Sequence, residues 1–329
     1  MRIPKLLSLA CAAALALPAS ALAQVKIGFI NSITGPEAPI GESLTNGVTL
    51  ALSFAGRAAA APKIGFVNSI TGPEAPIGEA LTNGANLALD DLKAKGIALE
   101  VIRQDDVGKP QVAMSALEQL ATGDEVVAVV GPYASAPANA IAKLAEQYKV
   151  PLLVPVASKE EITKQGYKWV FRLNAPAHNY ADQLIDAALT FGKPKTIAFI
   201  YEATDFGTSV ATLGKAYAQQ KGLKTVGDDS YQKGAADYRS TLTKLKAANP
   251  DLVFMVSYVA DAVLIMRQAR EVGLTPKAFL GGGAGFDTTQ FQNERDISNN
   301  VFCVTQWTPD NGAPRSPTSP ARRCPGATA

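Results

Sequence analysis

The sequence predicts an α/β protein built from parallel sheets in two lobes, and three observations carry this. A length of 329 residues, at roughly 100 to 200 per domain, is enough for about two cores. Short uninterrupted β-branched runs alternate with segments of helical spacing, as strands buried on both faces of a parallel sheet require. Hydrophobic residues are 47% and charged residues 18%, enough apolar surface to offset chain entropy and too little charge for a disordered polymer.

At the N-terminus, Arg2 and Lys5 precede an apolar run from Leu6 to Leu17, Pro18 and Ala21-Leu22-Ala23. This reads as a secretory signal peptide over residues 1–23 with an A-x-A cleavage site, leaving a chain that starts at Gln24. The apolar run is too short to cross a bilayer, and no later segment approaches about 18 to 20 apolar residues, so an exported protein without membrane insertion is expected. Ser8-Leu9-Ala10 suits lipidation of Cys11 poorly. After cleavage Lys plus Arg balances Asp plus Glu at 29 each, which gives no electrostatic footprint for nucleic acid and no polybasic membrane segment. Cys303 and Cys324 would remain; their spacing matches no zinc pattern, and a disulfide is permitted but not indicated.

Lys26 to Leu52 recurs as Lys63 to Leu89, with 23 of 27 positions identical. Two copies are too few for a solenoid, so residues 24–61 read as a local duplication plus spacer. The second copy runs into Asp90-Asp91-Leu92-Lys93-Ala94-Lys95-Gly96, a helix end with late lysines and a glycine stop, and is expected to fill the native strand. The first copy dissolves into Ser53-Phe54-Ala55-Gly56-Arg57 and alanines. Residues 305–329 form a tail that from Asn311 lacks aromatic, large aliphatic and acidic residues; it reads as a flexible end or, preferably, as out-of-frame translation of GC-rich DNA.

Strands are expected at Lys63 to Val67, Leu99 to Ile102, Val126 to Val130, Leu152 to Val154, Thr196 to Ile200, Leu252 to Val256 and Ala278 to Leu280. Helical spacing between them includes Ile141, Leu144, Ala145 and Tyr148, and also Ala262, Ile265, Met266 and Ala269. Lys168 to Arg172 reads as the first crossing, dividing a lobe over 62–172 from a second over 173–304. Ligands of parallel sheets bind beyond the carboxyl ends of strands, so the segments after each strand, Asn68 to Pro73, Gly131 to Ser135, Pro155 to Ser158, Tyr201 to Phe206, Ser257-Tyr258 and Gly281 to Gly285, should line one cleft.

Four landmarks then stand in order: Gly65-Phe66-Val67-Asn68-Ser69-Ile70-Thr71-Gly72-Pro73, Arg103-Gln104-Asp105-Asp106, Gly131-Pro132-Tyr133-Ala134-Ser135 and Arg267-Gln268-Ala269-Arg270-Glu271-Val272-Gly273-Leu274. Over about Lys63 to Pro309 the sequence resembles the branched-chain amino acid type of periplasmic substrate-binding protein, the soluble receptor of an ABC importer. The resemblance implies two doubly wound lobes, three crossovers, a hinge, a small carboxylate ligand, delivery to a membrane permease, periplasmic location and no cofactor. Family members continue past a second crossover, matched by Val301 to Thr305, with helices and a third crossing that have no counterpart here, so an incomplete fold is expected.

By the resemblance, Ser135 and Ser158 hold the ligand carboxylate. Each stands between a strand end and a helix start, where free N–H groups and the helix dipole favour an anion. The plain alternative is capping: Ser158 with Glu161 as a capping box, Ser135 before Pro137 as an N-cap. Val156 matches a backbone contact to ligand, against a reading as core. Phe206 and Tyr258 match aromatic walls of the second lobe; Tyr133 is a further wall or a surface tyrosine, and Ile77 replaces an aromatic. In amino-acid binders a carboxylate near Gly283 pairs the ligand's ammonium, and a buried ammonium without a partner costs several kcal/mol. Unless Asp261 or Glu202 substitutes, the ligand is therefore expected to be an acid lacking the amine. Gly108-Lys109-Pro110 and Gly192-Lys193-Pro194 fail the phosphate-loop pattern.

Catalysis is disfavoured: His178 is the only histidine, is expected at a helix start after Pro176, and no nucleophile elbow or metal spacing is present. Asp105-Asp106 should point to opposite faces and bond loop backbone. The alternatives to a transport receptor are a ligand sensor of the same fold, a hydrolase using His178, and a non-functional product of a disrupted gene.

Overall fold

A computed structural model describes residues 61–304, apart from 284, 287, 289, 290 and 292. The signal peptide, the first repeat copy and the tail from residue 305 lie outside the described residues. The second repeat copy forms the first strand, β1 (Lys63–Asn68), and the first helix, α1 (Ala75–Ala94).

The first sheet continues with β2 (Glu100–Asp105), α2 (Pro110–Glu118), β3 (Ala128–Val130), α3 (Ser135–Tyr148), β4 (Leu152–Val154), the short α4 (Glu161–Lys164) and β5 (Val170–Arg172). The second comprises α5 (Ala177–Thr190), β6 (Thr196–Glu202), α6 (Asp205–Gln220), β7 (Lys224–Tyr231), α7 (Arg239–Ala247), β8 (Leu252–Val256), α8 (Val259–Val272), β9 (Ala278–Gly281), α9 (Arg295–Ser298) and β10 (Val301–Cys303). The strand orders are β2-β1-β3-β4-β5 and β10-β9-β8-β6-β7. Every pairing is parallel, so both sheets share one doubly wound order with its switch point between β1 and β3 and again between β6 and β8.

Alternation along β6 and β8 explains why these runs are apolar throughout. Ile197, Phe199, Leu252, Phe254 and Val256 enter the core beneath α5 and α6, while Ala198, Ile200, Val253 and Met255 enter the one beneath α7 and α8. In the first sheet Val67, Val129, Leu152 and Val154 pack against α2 and α3 around Leu117 and Ile141. Its opposite face is covered more thinly: Leu81, Leu89 and Leu92 of α1 are half-buried, and Leu87 is exposed. Among the described residues no helix is long and apolar enough to cross a membrane.

Three strands differ from the sequence reading. β7, Lys-Thr-Val-Gly-Asp-Asp-Ser-Tyr, was not expected, because an edge strand with one solvated face carries polar residues. Val170–Arg172 and Val301–Cys303, expected as crossings, are also the edge strands β5 and β10 of the two sheets.

Candidate functional site

Helix starts and strand ends converge where the two sheets face each other. After β3, Gly131 takes φ +117°, and any side chain there would collide with the Val67 carbonyl, so only glycine lets the chain turn. That turn delivers Tyr133 and then Ser135, the first residue of α3. After β4 come Val156, Ala157 and Ser158; after β6, Phe206; after β8, Tyr258. All of these, with Tyr180 of α5, line one compartment of about 250 Å³ that is partly open to solvent.

Six of the seven residues singled out from the sequence therefore meet: Tyr133, Ser135, Val156, Ser158, Phe206 and Tyr258. Ile77 does not join them; it lies half-buried on α1. Ala157 and Tyr180 were missed. Ala157 has no functional group to flag it, and Tyr180 stands on a helix rather than at a strand end.

Neither serine performs the capping expected as its alternative role. The residue preceding α3 is Ala134 and the one preceding α4 is Glu160, and neither helix start has a side-chain cap. Instead Ser135 Oγ accepts the backbone N–H groups of Ser158 and Lys159, each at 3.3 Å, tying the α3 start to the β4 loop. Arg172, at the end of β5, donates from beneath to the Ser158 carbonyl at 3.2 Å and the Lys159 carbonyl at 2.7 Å. The compartment thus has two serine hydroxyls and a helix start at one end, with a buried guanidinium behind the loop. That arrangement favours a small anion. The Val156 carbonyl accepts from Asn174, whose amide also meets the Tyr180 hydroxyl at 2.8 Å.

Aromatic rings form the remaining wall. Tyr133 and Tyr258 have ring centroids 5.6 Å apart, Tyr258 and Phe206 5.4 Å, and Phe206 and Tyr180 6.3 Å. Tyr258 belongs to the second lobe, yet its hydroxyl is held by the backbone N–H of Ser135 in the first; burial, then nearby Glu202, pushes that hydroxyl well above the usual tyrosine range.

Among the described residues no carboxylate side chain lines this compartment. A Cβ on Gly283 would stand 2.8 Å from Phe206 Cζ, so the ring occupies the space a side chain needs. Glu202 is fully buried, accepts from Thr204 at 2.5 Å and from the Tyr258 N–H at 3.3 Å, and is pushed up to about 8 chiefly by that burial, so it is protonated at neutral pH. Asp261 lies outside the compartment and accepts from the Gly234 N–H at 3.0 Å and the Tyr238 hydroxyl at 2.9 Å. His178 is the second residue of α5, with Nδ1 2.7 Å from Glu160. Asp105 and Asp106 bond loop backbone at Val107 and Gly108 and the side chains of Thr71 and Ser69.

Residues 61–321 match a family model described as periplasmic binding protein. Leu/Ile/Val-binding protein homolog 7 of Brucella suis is 31% identical over 293 residues, covering 85% of this chain and 64% of the relative. Homolog 8 of Brucella abortus is 34% identical over 301 residues, covering 87% of this chain and 65% of the relative. The chain thus spans just under two thirds of the length of these relatives. Among solved structures, the branched-chain amino acid substrate-binding protein LivJ of Streptococcus pneumoniae with isoleucine has a TM-score of 0.64 at 27% identity, covering 74% of this chain and 70% of that one. A solute-binding protein of R. palustris in complex with 4-hydroxybenzoate has a TM-score of 0.64 at 19% identity, covering 73% and 66%, and shows the fold alone.

Proposed function

The chain belongs to the periplasmic binding protein family, and we propose that it is an extracytoplasmic receptor that closes two lobes on a small acid lacking an α-amine and hands it to the permease of an ABC importer. One observation carries the choice of ligand: Gly283 lies against the Phe206 ring, and among the described residues the compartment that offers serine hydroxyls to an anion offers no carboxylate to an ammonium. An amino acid would bury its ammonium against aromatic carbon at a cost of several kcal/mol. An aromatic acid meets the hydroxyls of Ser135 and Ser158 with its carboxylate and the faces of Tyr133, Phe206 and Tyr258 with its ring. The lobes act as the jaws because Tyr133 and the serines come from one and Phe206 and Tyr258 from the other. The names of the relatives favour a second reading, a branched-chain amino acid.

Thermal melts of the chain from Gln24 with benzoate, a hydroxycinnamate and leucine separate the two. Ligand at about 100 times its Kd adds about 2.7 kcal/mol of stability. Stabilisation by an aromatic acid and not by leucine is expected, and Ser135→Ala should weaken that acid about tenfold or more, the value of a hydrogen-bond network serving a charged group. Stabilisation by leucine alone would install the second reading.

A further inference from the structure

Tyr258 borders two spaces, the serine compartment and a wider one of about 690 Å³, open to solvent, between the lobes. Glu74 and Lys109 border it from the first lobe, Lys233 and Asp261 from the second. Lys233 follows β7 and Glu74 precedes α1, and the two form an ion pair across the lobes.

The acids of this space are occupied, while its cations keep donors to spare. Asp261 is bonded to Gly234 and Tyr238, and Glu74, nearly fully buried, is paired with Lys233. An ammonium has three donors, and Lys233 uses one on Glu74 while standing 4.6 Å above the Tyr258 ring. Lys109 is exposed at the same mouth. Burial pulls the Lys233 ammonium down to about 8, with Asp261 opposing, and a further anion beside it would favour its charged form.

We propose that this space is a second subsite, taking an anionic group at the far end of a ligand whose first carboxylate lies with Ser135 and Ser158, and that Lys233 is the residue selecting such diacids. The proposal rests on the acid-receptor reading above. It makes the ligand a rod with two charged ends that passes the edge of Tyr258. Its pH dependence follows from the groups facing Lys233, namely Glu74, Asp261, Lys109 and Tyr258. Lys233 is charged below about 8 and neutral above, so preference for a diacid is present at pH 7 and is lost as pH rises through that value.

Calorimetric titration of the chain from Gln24 with benzoate, benzene-1,4-dicarboxylate and 4-phosphonobenzoate tests this, with hexanoate and adipate repeating the comparison on a flexible spacer. At least one two-ended acid should bind tenfold or more tighter than its one-ended partner at pH 7, and the carboxylate and phosphonate arms show which anion is preferred. In Lys233→Met that ratio should fall to near one, and in Glu74→Gln, which frees the ammonium, it should rise. Equal affinity for one-ended and two-ended acids, or a ratio unmoved by Lys233→Met, overturns the subsite while leaving the acid receptor standing. Binding of leucine alone, or of none of these acids, overturns both.

Discussion

Glu202 ends β6 with its carboxyl sealed under Thr204 and the Tyr258 backbone, and its proton balance has a measurable consequence. Its pKa is about 8 in the fold against about 4.5 when unfolded, so between those values the folded state binds the extra proton and stability falls as pH rises. Glu202→Gln, which keeps the shape and removes the titration, should match the parent below pH of about 4.5 and exceed it by an amount on the order of 1 to 3 kcal/mol at pH 8, read from urea unfolding. A variant less stable than the parent at pH 8 would show that the carboxylate is ionised in the fold. At this scale the sequence exposed most of the residues that converge on the candidate compartment, because the residues after strand ends are few and Ser135, Ser158, Phe206 and Tyr258 all stand there. Lys233 and Glu74 escaped: β7 has no apolar signature, so the residues at its end could not be placed, and Glu74 was one residue past the segment considered.

Among the elements, α5 shows how a helix start is satisfied from outside. Its preceding residue is Pro176, which offers no side-chain cap, and Glu160 reaches across from the start of α4 to accept the His178 backbone N–H at 3.1 Å. Burial acts to raise the Glu160 carboxyl, but bonds from Lys164 and His178 outweigh it and hold the group down at about 2. A depressed acid contributes stability that is full above its unfolded value of about 4.5 and is lost as pH falls through 2. Glu160→Gln should therefore cost about 2 kcal/mol at pH 7 and flatten the acid limb of the stability curve; an unchanged acid limb would place that stability elsewhere. The strands legible in the sequence were those buried on both faces, such as β4, β6 and β8. The illegible ones were edges, since β7 alternates polar residues with half-buried ones, and β5 and β10 span only three residues each.

Over the whole molecule, the lobes meet through charge as well as through the aromatic wall. Lys159 pairs with Asp205 at 2.8 Å, Asn139 donates to the same carboxylate at 3.3 Å, and Glu74 pairs with Lys233 on the other flank of the cleft. A partly exposed pair is worth about 0 to 1 kcal/mol, so Asp205→Asn should shift the balance toward open lobes by up to about fivefold. A larger radius of gyration without ligand and faster ligand release are the expected readings, with high salt producing the same trend in the parent. Scattering curves identical to the parent would assign closure to the aromatic contacts alone. The shared strand order of the two sheets carries a consequence for how preference changes by descent. The two serines, proposed to answer to charge, follow strands of one sheet; Phe206, Tyr258 and Lys233, proposed to answer to outline and length, follow strands of the other. On the proposed reading, mutation in the second half of the gene can exchange one carbon skeleton for another while the demand for an acid, encoded in the first half, passes on untouched.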